Sequence, residues 1–343
     1  MNCKQAIKLE QKILKILETN LPKNATIIAG ISGGPDSVFL LYMLNKLTKK
    51  IIIAHINHMI RKSEAKQDEN FVKSLAKNFN NIFKLKTSNI ITLSKKLHQG
   101  LEETGRKIRY EFFTSLAKKN NSKFILTAHH ADDNLETIIS NFTRGASLKG
   151  LSGMSEIEKL NNGIKLIRPL LSISKKEIND YLKFKKIKFT IDKTNKNTIY
   201  KRNFIRHKII PLFKKLNPSI SNTIAKNIEN IKEINSFIQN QALVWIKKNS
   251  TDKTFTSILG KPFTKLEIPL QKAIIYELFK IHKKTTQNLE TSRILEILKI
   301  FTNKNGNKYT KINGLKFSIN KNIIKIEKEK NASGKNQQKS TLS

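Results

Sequence analysis

Hydrophobic and polar positions follow two different periods along the first half of the chain. Short apolar runs rich in β-branched residues are bounded by polar or turn-forming positions, as is typical of buried strands. These runs are Ala25–Ile31, Ile51–Ala54, Asn81–Thr87, Lys123–Ala128 and Lys165–Leu171. Between them, apolar residues recur every three or four positions, which predicts helices. The alternation of strands and helices predicts an α/β fold with a doubly wound parallel sheet.

From about residue 216 the pattern changes to predominantly helical. One apolar stripe predicts a long helix whose core-facing residues are Ile224, Ile228, Ile231, Ile234, Ile238, Ala242 and Trp245. Further helices are predicted near 265–283 and 289–302, with short strands over 308–326. The predicted organisation is therefore an α/β domain over 1–215, a second, helix-rich domain over 216–326 and a disordered tail over 327–343.

Three features of the sequence bear on its compartment. Residues 1–18 have apolar positions interrupted by charges, which predicts an amphipathic helix and not a signal peptide. No apolar stretch reaches the ~20 residues of a membrane span. The single cysteine, Cys3, excludes a disulfide framework and a Cys-x-x-Cys site. We therefore expect a cytoplasmic protein with no membrane partner, made in a bacterial cytosol or an organelle such as a plastid.

The charge balance is strongly basic. The 65 Lys and Arg residues outnumber the 26 Asp and Glu residues, for a formal net charge of +39 spread along the whole chain. AT-rich coding accounts for many lysines, but it does not account for so few acids. A field of this sign favours a polyanionic partner, and we predict nucleic acid.

The first strand leads into the segment Ser32, Gly33, Gly34, Pro35, Asp36 and Ser37. A strand, a glycine-rich turn and a helix together aim backbone N–H groups and the positive end of a helix dipole at an anion. No Gly-Lys-Ser/Thr follows, so the segment is not a Walker A loop. Instead Asp36 lies inside the loop, which is expected if Mg²⁺ accompanies the phosphates of ATP. The alternative is an ordinary strand-to-helix turn.

Candidate site residues follow two further strands. His55 and His58 come after the second strand, where ligands of parallel sheets bind. Because no third metal ligand lies near in sequence, contact of His55 with adenine, or packing of these histidines against a loop, is favoured over zinc. On the helix after Gly100, Arg106 and Arg109 share a face and suit phosphates or an RNA backbone. A solvated, salt-bridged helix face is the alternative for these arginines.

The segment His129–Thr137 follows the fourth strand and carries two histidines and three acids. Asp133 and Glu136, at i and i+3 of a predicted helix, share a face that suits a cation or an ammonium group. A loop of small and basic residues comes next, and its Arg144 and Lys149 suit a phosphate or a base.

Taken together, these motifs resemble those of the bacterial tRNA(Ile)-lysidine synthetases, a family within the N-type ATP pyrophosphatases. The motifs are SGGPDS (32–37), AHINHMIR (54–61), EETGRKIRY (102–110), TAHHADDNLET (127–137), RGASLKGLSGM (144–154), RPLL (168–171) and RNFIR (202–206). The resemblance spans about residues 25–215. Gly105 departs from the alanine usual in this family, and the chain is shorter than the family's long forms.

The resemblance implies a ligase reaction in two steps. ATP adenylates the C2 oxygen of the wobble cytidine in tRNA(Ile) with a CAU anticodon, and the ε-amine of free L-lysine then displaces AMP. It implies that Asp36 holds Mg²⁺ on the phosphates and that Arg106 and Arg109 stabilise charge on the leaving group. It also implies amine binding by Asp133 or Glu136, with His130 as a proton carrier.

The resemblance further implies that Arg144, Lys149, Arg202 and Arg206 contact tRNA. A homodimer is compatible with this reading.

Two alternatives come from other functional classes. A tRNA thiolase shares the adenylating loop, but it carries sulfur on cysteine or an iron–sulfur cluster, and this chain has only Cys3. A basic RNA-binding protein with a degenerate loop is the non-enzymatic alternative. The intact loop residues Ser32 to Ser37 argue against it.

Overall fold

The computed structural model describes residues 1–47, 50–59, 62–146, 148–160, 163–191, 201–283, 289, 291–302, 308–320 and 322–328. The chain divides into two compact units, one of Met1–Ser140 with Ser152–Ile228 and one of Asn141–Leu151 with Glu229–Ser343. The domain boundary at residue 215 stays a prediction. Residues 329–343, most of the predicted tail, lie outside the described residues.

The strands of the first unit lie close to the predicted positions. They are β1 (Thr26–Gly30), β2 (Lys50–Asn57), β3 (Ile82–Thr87), β4 (Phe124–Leu126), β5 (Ile157–Lys159) and β6 (Lys165–Ile167). β2 runs three residues beyond its predicted end, so His55 lies within the strand. β5 was not predicted, because its three residues are exposed and carry no apolar run.

The helices that begin before residue 220 alternate with these strands along the chain or follow them. They are α1 (Cys3–Asn20), α2 (Pro35–Asn45), α3 (Lys62–Asn78), α4 (Ile90–Leu97), α5 (Leu101–Lys119), α6 (Ala131–Phe142), α7 (Leu148–Leu151), α8 (Lys175–Phe184), α9 (Lys201–Phe204) and α10 (Ile210–Leu216). A π-helical turn, Ile205–Ile209, joins α9 to α10. The polar, basic sequence around Arg202 to Arg206 predicts a loop, and that prediction is wrong. Lysine, arginine and histidine there are compatible with helix once Ile205 and Ile210 are buried.

The strand order β3-β2-β1-β4-β6-β5 confirms the doubly wound sheet. All neighbouring strands pair in parallel except β5, which pairs antiparallel with β6 at one edge. The chain moves outward from β1 to β3 and then returns to place β4 on the other side of β1. Ligands of open parallel sheets bind at such a reversal, beyond the carboxyl ends of the strands. The segments that follow β1 and β4 therefore meet at the same edge.

Burial on both faces explains why the central strands are continuously apolar. Ile27 and Ala29 face a core built with α1, α2 and α8, whereas Ile28 faces a core built with α5. All three side chains are fully buried. A sheet covered on both faces is typical of parallel α/β architecture.

Gly105 is buried within α5, and replacing it tests how helix propensity affects stability where the packing leaves room for a side chain. A Cβ added there meets His58 Cε1 at 3.7 Å and Ile90 Cδ1 at 4.0 Å, which are ordinary contacts. We expect Gly105→Ala to raise the free energy of unfolding by about 0.5–1 kcal/mol, because a helical glycine loses more backbone entropy than alanine. Chemical denaturation measures the change.

Gly30→Ala is the matched contrast, since its Cβ falls 2.6 Å from Phe113 Cζ in the buried core. That variant should be destabilised, and equal stability for both alanine variants would contradict the packing described here.

In the second unit, helices cover one small antiparallel sheet. The helices are α11 (Ile220–Asn249), which begins in the first unit, α12 (Gly260–Thr264), α13 (Ile268–Lys283) and α14 (Thr291–Thr302). The strands are β7 (Ser257–Leu259), β8 (Lys308–Ile312), β9 (Leu315–Asn320) and β10 (Ile323–Lys328), in the order β7-β10-β9-β8. The predicted helix-rich region with short strands is confirmed, although β7 and α12 were too short to predict.

The stripe predicted as core along α11 is only partly buried. Ile228 and Ala242 are buried, but Ile234 is 55% exposed, so its assignment to the core was wrong. The two buried positions belong to different units, and periodicity alone does not show where burial by one unit ends.

No helix among the described residues is long and apolar enough to span a bilayer.

Candidate active site

The glycine-rich segment forms a compact loop between β1 and α2. Gly33 has a φ of +96°, a conformation that favours glycine. The Ser37 hydroxyl accepts the N–H groups of Ser32 and Gly33, each at 3.2 Å, and donates to the Gly34 carbonyl at 2.9 Å. Gly34 precedes α2 without a side-chain cap, so the helix N-terminus is available to an anion.

Asp36 lies in the first turn of α2 and pairs with a residue that sequence reasoning missed. The Lys175 Nζ lies 2.5 Å from Asp36 Oδ1 and 2.6 Å from Oδ2. Lys175 is the first residue of α8, where Ser174 and Glu177 form a reciprocal capping box. Ser174, a residue type favoured at helix N-termini, predicts the start of α8, but no signal in the sequence pairs two residues so far apart.

His130 and Asp133 cap α6 reciprocally at the end of β4. The His130 N–H donates to Asp133 Oδ2 at 3.1 Å, and the Asp133 N–H donates to His130 Nδ1 at 3.3 Å. Because Nδ1 accepts, the proton of a neutral His130 belongs on Nε2. Nε2 lies 3.4 Å from Asp133 Oδ2 and 3.7 Å from Asp36 Oδ2. His130 therefore connects the loop acid with the acids of α6.

Asp133 and Glu136 share one face of α6, as predicted, and hold two guanidinium groups. Arg206 donates from Nε to Glu136 Oε1 at 2.5 Å and from Nη2 to Asp133 Oδ1 at 3.1 Å. Arg202 donates from Nε to Glu136 Oε2 at 2.7 Å and from Nη2 to Asp133 Oδ1 at 3.2 Å. Glu136 is only 1% exposed. The pair is therefore a buried cation-binding site.

The charges around this site determine the protonation of Asp133. Burial raises its pKa, but electrostatic interactions with His130, Arg202, His129 and Arg206 outweigh burial and lower the pKa to about 2. The Asp133 carboxylate is therefore charged at neutral pH. Burial tends to lower the pKa of Arg202, but Asp133 and Glu136 raise it above its ordinary value.

Arg109 on α5 is a desolvated cation with an excess of positive neighbours. Burial is the main cause that lowers its pKa; Tyr110 and Glu102 oppose the shift, and Arg106 and Arg202 add to it. Within the described part of the chain, no carboxylate lies at ion-pair distance from Arg109. The Arg106 guanidinium lies 5.1 Å from the centre of the Tyr110 ring. This arrangement favours an anionic ligand beside Arg109.

Residues 5–213 match the model of a family described as the PP-loop domain. The chain belongs to this family. We call the glycine-rich segment from Ser32 to Ser37 the PP-loop.

Curated relatives confirm the predicted resemblance to the lysidine synthetases. A tRNA(Ile)-lysidine synthase of Thermosipho africanus is 39% identical over 238 residues, which cover 68% of this chain and 54% of the relative. One of Bacillus cereus is 35% identical over 258 residues, covering 74% of this chain and 54% of the relative. The chain thus spans about half the length of these relatives.

A solved structure shares the fold. It is the U34-tRNA thiolase NcsA from Methanococcus maripaludis with its [4Fe-4S] cluster, at a TM-score of 0.57 and 20% identity, covering 67% of this chain and 81% of that one. This likeness supports the doubly wound sheet.

Two histidines near the site, His55 and His129, have different hydrogen-bond partners. His55 is 3% exposed, and its Nδ1 lies 2.9 Å from the Ile31 carbonyl oxygen, so its ring fastens β2 to the base of the PP-loop. Its predicted contact with ATP stays a prediction. His129, which sequence reasoning passed over beside His130, lies with its Nδ1 2.9 Å from Thr127 Oγ1.

The lowered pKa values of two partly buried histidines, His58 and His129, predict how the stability of the protein depends on pH. Burial first, and then Arg109, lowers the pKa of His58 to about 4, and burial with nearby arginines lowers that of His129 to about 3. The unfolded chain therefore binds more protons than the folded protein between pH 6.5 and 4, so stability falls as the pH falls through this window. His58 contributes up to about 3 kcal/mol to this loss.

Thermal unfolding of the wild type and of His58→Gln, measured from pH 7 to 4, tests this expectation. The variant should lose less stability on acidification. Parallel curves for the two proteins would contradict the protonation state described for His58. Asp133 loses its contribution only below about pH 4 and does not interfere.

The remaining predicted tRNA contacts are distributed over both units. Arg144 is exposed in the second unit, and its Nη2 donates to Asn141 Oδ1 at 2.6 Å. The side chain of Lys149 lies outside the described residues. Arg202 and Arg206 bind the acids of α6, as described above. Their assignment to tRNA stays a prediction.

The described residues contain no group of three or more histidine, cysteine or acidic side chains arranged for a metal ion. Asp36 is the acid that fits Mg²⁺, since both of its oxygens already face a cation, the Lys175 ammonium. Mg²⁺ commonly binds through one or two carboxylates together with substrate phosphates.

Proposed function

We propose that the protein is a tRNA(Ile)-lysidine synthetase. The observation that carries the proposal is the adjacency of two sites at the reversal of the sheet: a PP-loop with Asp36 and a buried, cation-binding pair formed by Asp133 and Glu136. His130 lies between them. One site suits the phosphates of ATP and the other an ammonium group. The names of the curated relatives support the same reaction.

In the first step, the C2 oxygen of the wobble cytidine attacks the α-phosphorus of ATP. A bond from this oxygen to phosphorus forms, and the bond to pyrophosphate breaks. The PP-loop and the uncapped start of α2 bind the phosphates. Arg109, which lacks a carboxylate partner in the described part of the chain, and Arg106 stabilise the charge on pyrophosphate or on the adenylate. Asp36 would hold Mg²⁺, which would neutralise charge on the phosphates.

In the second step, the ε-amine of free lysine attacks C2, and the bond from C2 to the adenylate oxygen breaks to release AMP. The amine has a free pKa of ~10.4, so its deprotonation at neutral pH costs about 4 kcal/mol. The ammonium takes the place that Arg202 and Arg206 occupy beside Asp133 and Glu136. Asp133 orients the ammonium, and the proton passes to Glu136 or is carried by His130.

The basic charge of the chain supports a tRNA substrate. A net charge of +39 favours the phosphate backbone of RNA. We assign Arg144, Lys149, Arg202 and Arg206 to tRNA contacts, and residues 216–326 to a tRNA-binding region. The proposed partners are therefore tRNA(Ile) with a CAU anticodon and free L-lysine, in a cytoplasmic enzyme that is compatible with a homodimer.

One reaction tests the proposal directly. Purified protein is incubated with ATP and Mg²⁺, labelled lysine and a tRNA that carries a CAU anticodon. We expect the label to enter the tRNA with equimolar release of AMP, and to be lost when the wobble cytidine is replaced by uridine. ATP consumption without lysine incorporation would instead favour a thiolase or another adenylating reaction, and no ATP chemistry would favour an RNA-binding protein.

A further inference from the structure

The PP-loop contains hydroxyl and backbone donors but no basic side chain of its own. Its residues, Ser32 to Ser37, include one charged group, the carboxylate of Asp36. An ammonium group reaches this loop from elsewhere, because Lys175 Nζ contacts both oxygens of Asp36 at 2.5 and 2.6 Å. The fold thus supplies the lysine that the loop sequence lacks.

The main chain of Lys175 is fixed more firmly than an ordinary surface residue. Its N–H donates to Asp132 Oδ2 at 2.8 Å. The preceding Ser174 donates its N–H to Glu177 Oε2 at 2.8 Å, which closes the capping box of α8. Only the four-carbon side chain of Lys175 is left to move. Its position at the edge of the sheet is therefore built into the fold.

The ion pair with Asp36 is suited to exchange. The side chains of Lys175 and Asp36 are 34% and 25% exposed, and ion pairs that contact water contribute little net stability. A divalent cation that bound Asp36 together with phosphates would take the position of the ammonium. The nearest new partners for Lys175 would then be the phosphate oxygens in the same loop, which a lysine ammonium binds as a point charge.

We propose that Lys175 binds the polyphosphate of ATP and the departing pyrophosphate, and that in the free protein it occupies the cation position at Asp36. The inference rests on the proposed function, because it takes ATP as the ligand of the PP-loop. It adds a residue of α8 to the phosphate-binding residues of the loop.

Binding measurements on Lys175→Met test the inference without requiring turnover. The probes are inorganic pyrophosphate with Mg²⁺, ATP with Mg²⁺, and Mn²⁺ alone followed by electron paramagnetic resonance. We expect pyrophosphate and ATP to bind about ten- to a hundred-fold more weakly, because a charge-assisted hydrogen bond is lost. We expect Mn²⁺ alone to bind more tightly, since no ammonium competes for Asp36.

Lys176→Met is the matched control, because Lys176 is the next residue of α8 and is exposed. It should bind all three probes as the wild type does. A double variant, Asp36→Asn with Lys175→Met, leaves no unpaired acid behind and guards against misfolding of the single variant. Its affinity for pyrophosphate with Mg²⁺ should be no higher than that of Lys175→Met.

Opposite changes in phosphate and metal affinity distinguish this role from a structural ion pair. Unchanged pyrophosphate affinity in Lys175→Met, or a parallel loss of Mn²⁺ and phosphate binding, would overturn the inference. Failure of the proposed function has a different signature: a wild type that binds ATP through Lys175 but incorporates no lysine.

Discussion

The double variant Asp133→Asn, Glu136→Gln is expected to lose lysine incorporation while retaining ATP-dependent adenylation of tRNA. Each carboxylate removed takes away a charge-assisted hydrogen bond to the substrate ammonium, worth about 1.5–3 kcal/mol. Loss of both predicts a fall of about 10²- to 10⁴-fold in lysine incorporation. The PP-loop is unchanged in this variant, so pyrophosphate release on the first turnover should persist.

Two assays on one preparation separate the steps: transfer of labelled lysine to tRNA and release of pyrophosphate. In the double variant Arg206 loses its carboxylate partners and Arg202 keeps only Glu102, but about 30% of each arginine side chain is exposed and can be rehydrated. Unfolding curves confirm that the protein is folded at the assay temperature.

Glu102→Gln is the matched control, because Glu102 contacts only Arg202 of the same cluster and is 62% exposed. It should transfer lysine nearly as the wild type does. Turnover of the double variant at the wild-type rate would remove these acids from the proposed amine site.

Gly33→Ala is expected to destabilise the first unit and to abolish ATP binding. An alanine at a φ of +96° is strained by about 1–2 kcal/mol relative to glycine. Its Cβ would lie 2.9 Å from Thr190 Oγ1 and 3.2 Å from Val72 Cγ2, and relieving such contacts costs about 1–3 kcal/mol more. The strain falls on the two N–H groups that Ser37 orients, so the loop loses its anion-binding shape.

Gly34→Ala provides the comparison within the same loop. Gly34 has a φ of −71°, and an added Cβ meets only Ser32 Oγ, at 3.5 Å. The thermal unfolding midpoint of Gly34→Ala should therefore stay close to the wild-type value, whereas the midpoint of Gly33→Ala should fall by several degrees. Equal midpoints for the two variants would contradict the loop conformation described here.

Much of the fold was predictable because its signals are local. The start of α8 at Ser174 follows from a capping box within four consecutive residues. The central strands follow from apolar runs, since both faces of the sheet are covered. Elements with weak local signals were missed or misjudged: β5 is exposed, and the turns from Arg202 to Arg206 form a helix because tertiary burial of Ile205 outweighs a polar sequence.

The sequence by itself determined the PP-loop, the acids of α6 on one face and the basic character of the chain. These properties depend on residue type and on spacings of a few positions, which helix and turn geometry convert directly into position. Only the tertiary structure decided the partners of those acids. Lys175 reaches Asp36 and Arg206 reaches Glu136 because the chain reverses in the sheet and brings distant segments to one edge. Electrostatic attraction depends on the distance between two charges in space, and the separation of two residues along the chain does not give that distance.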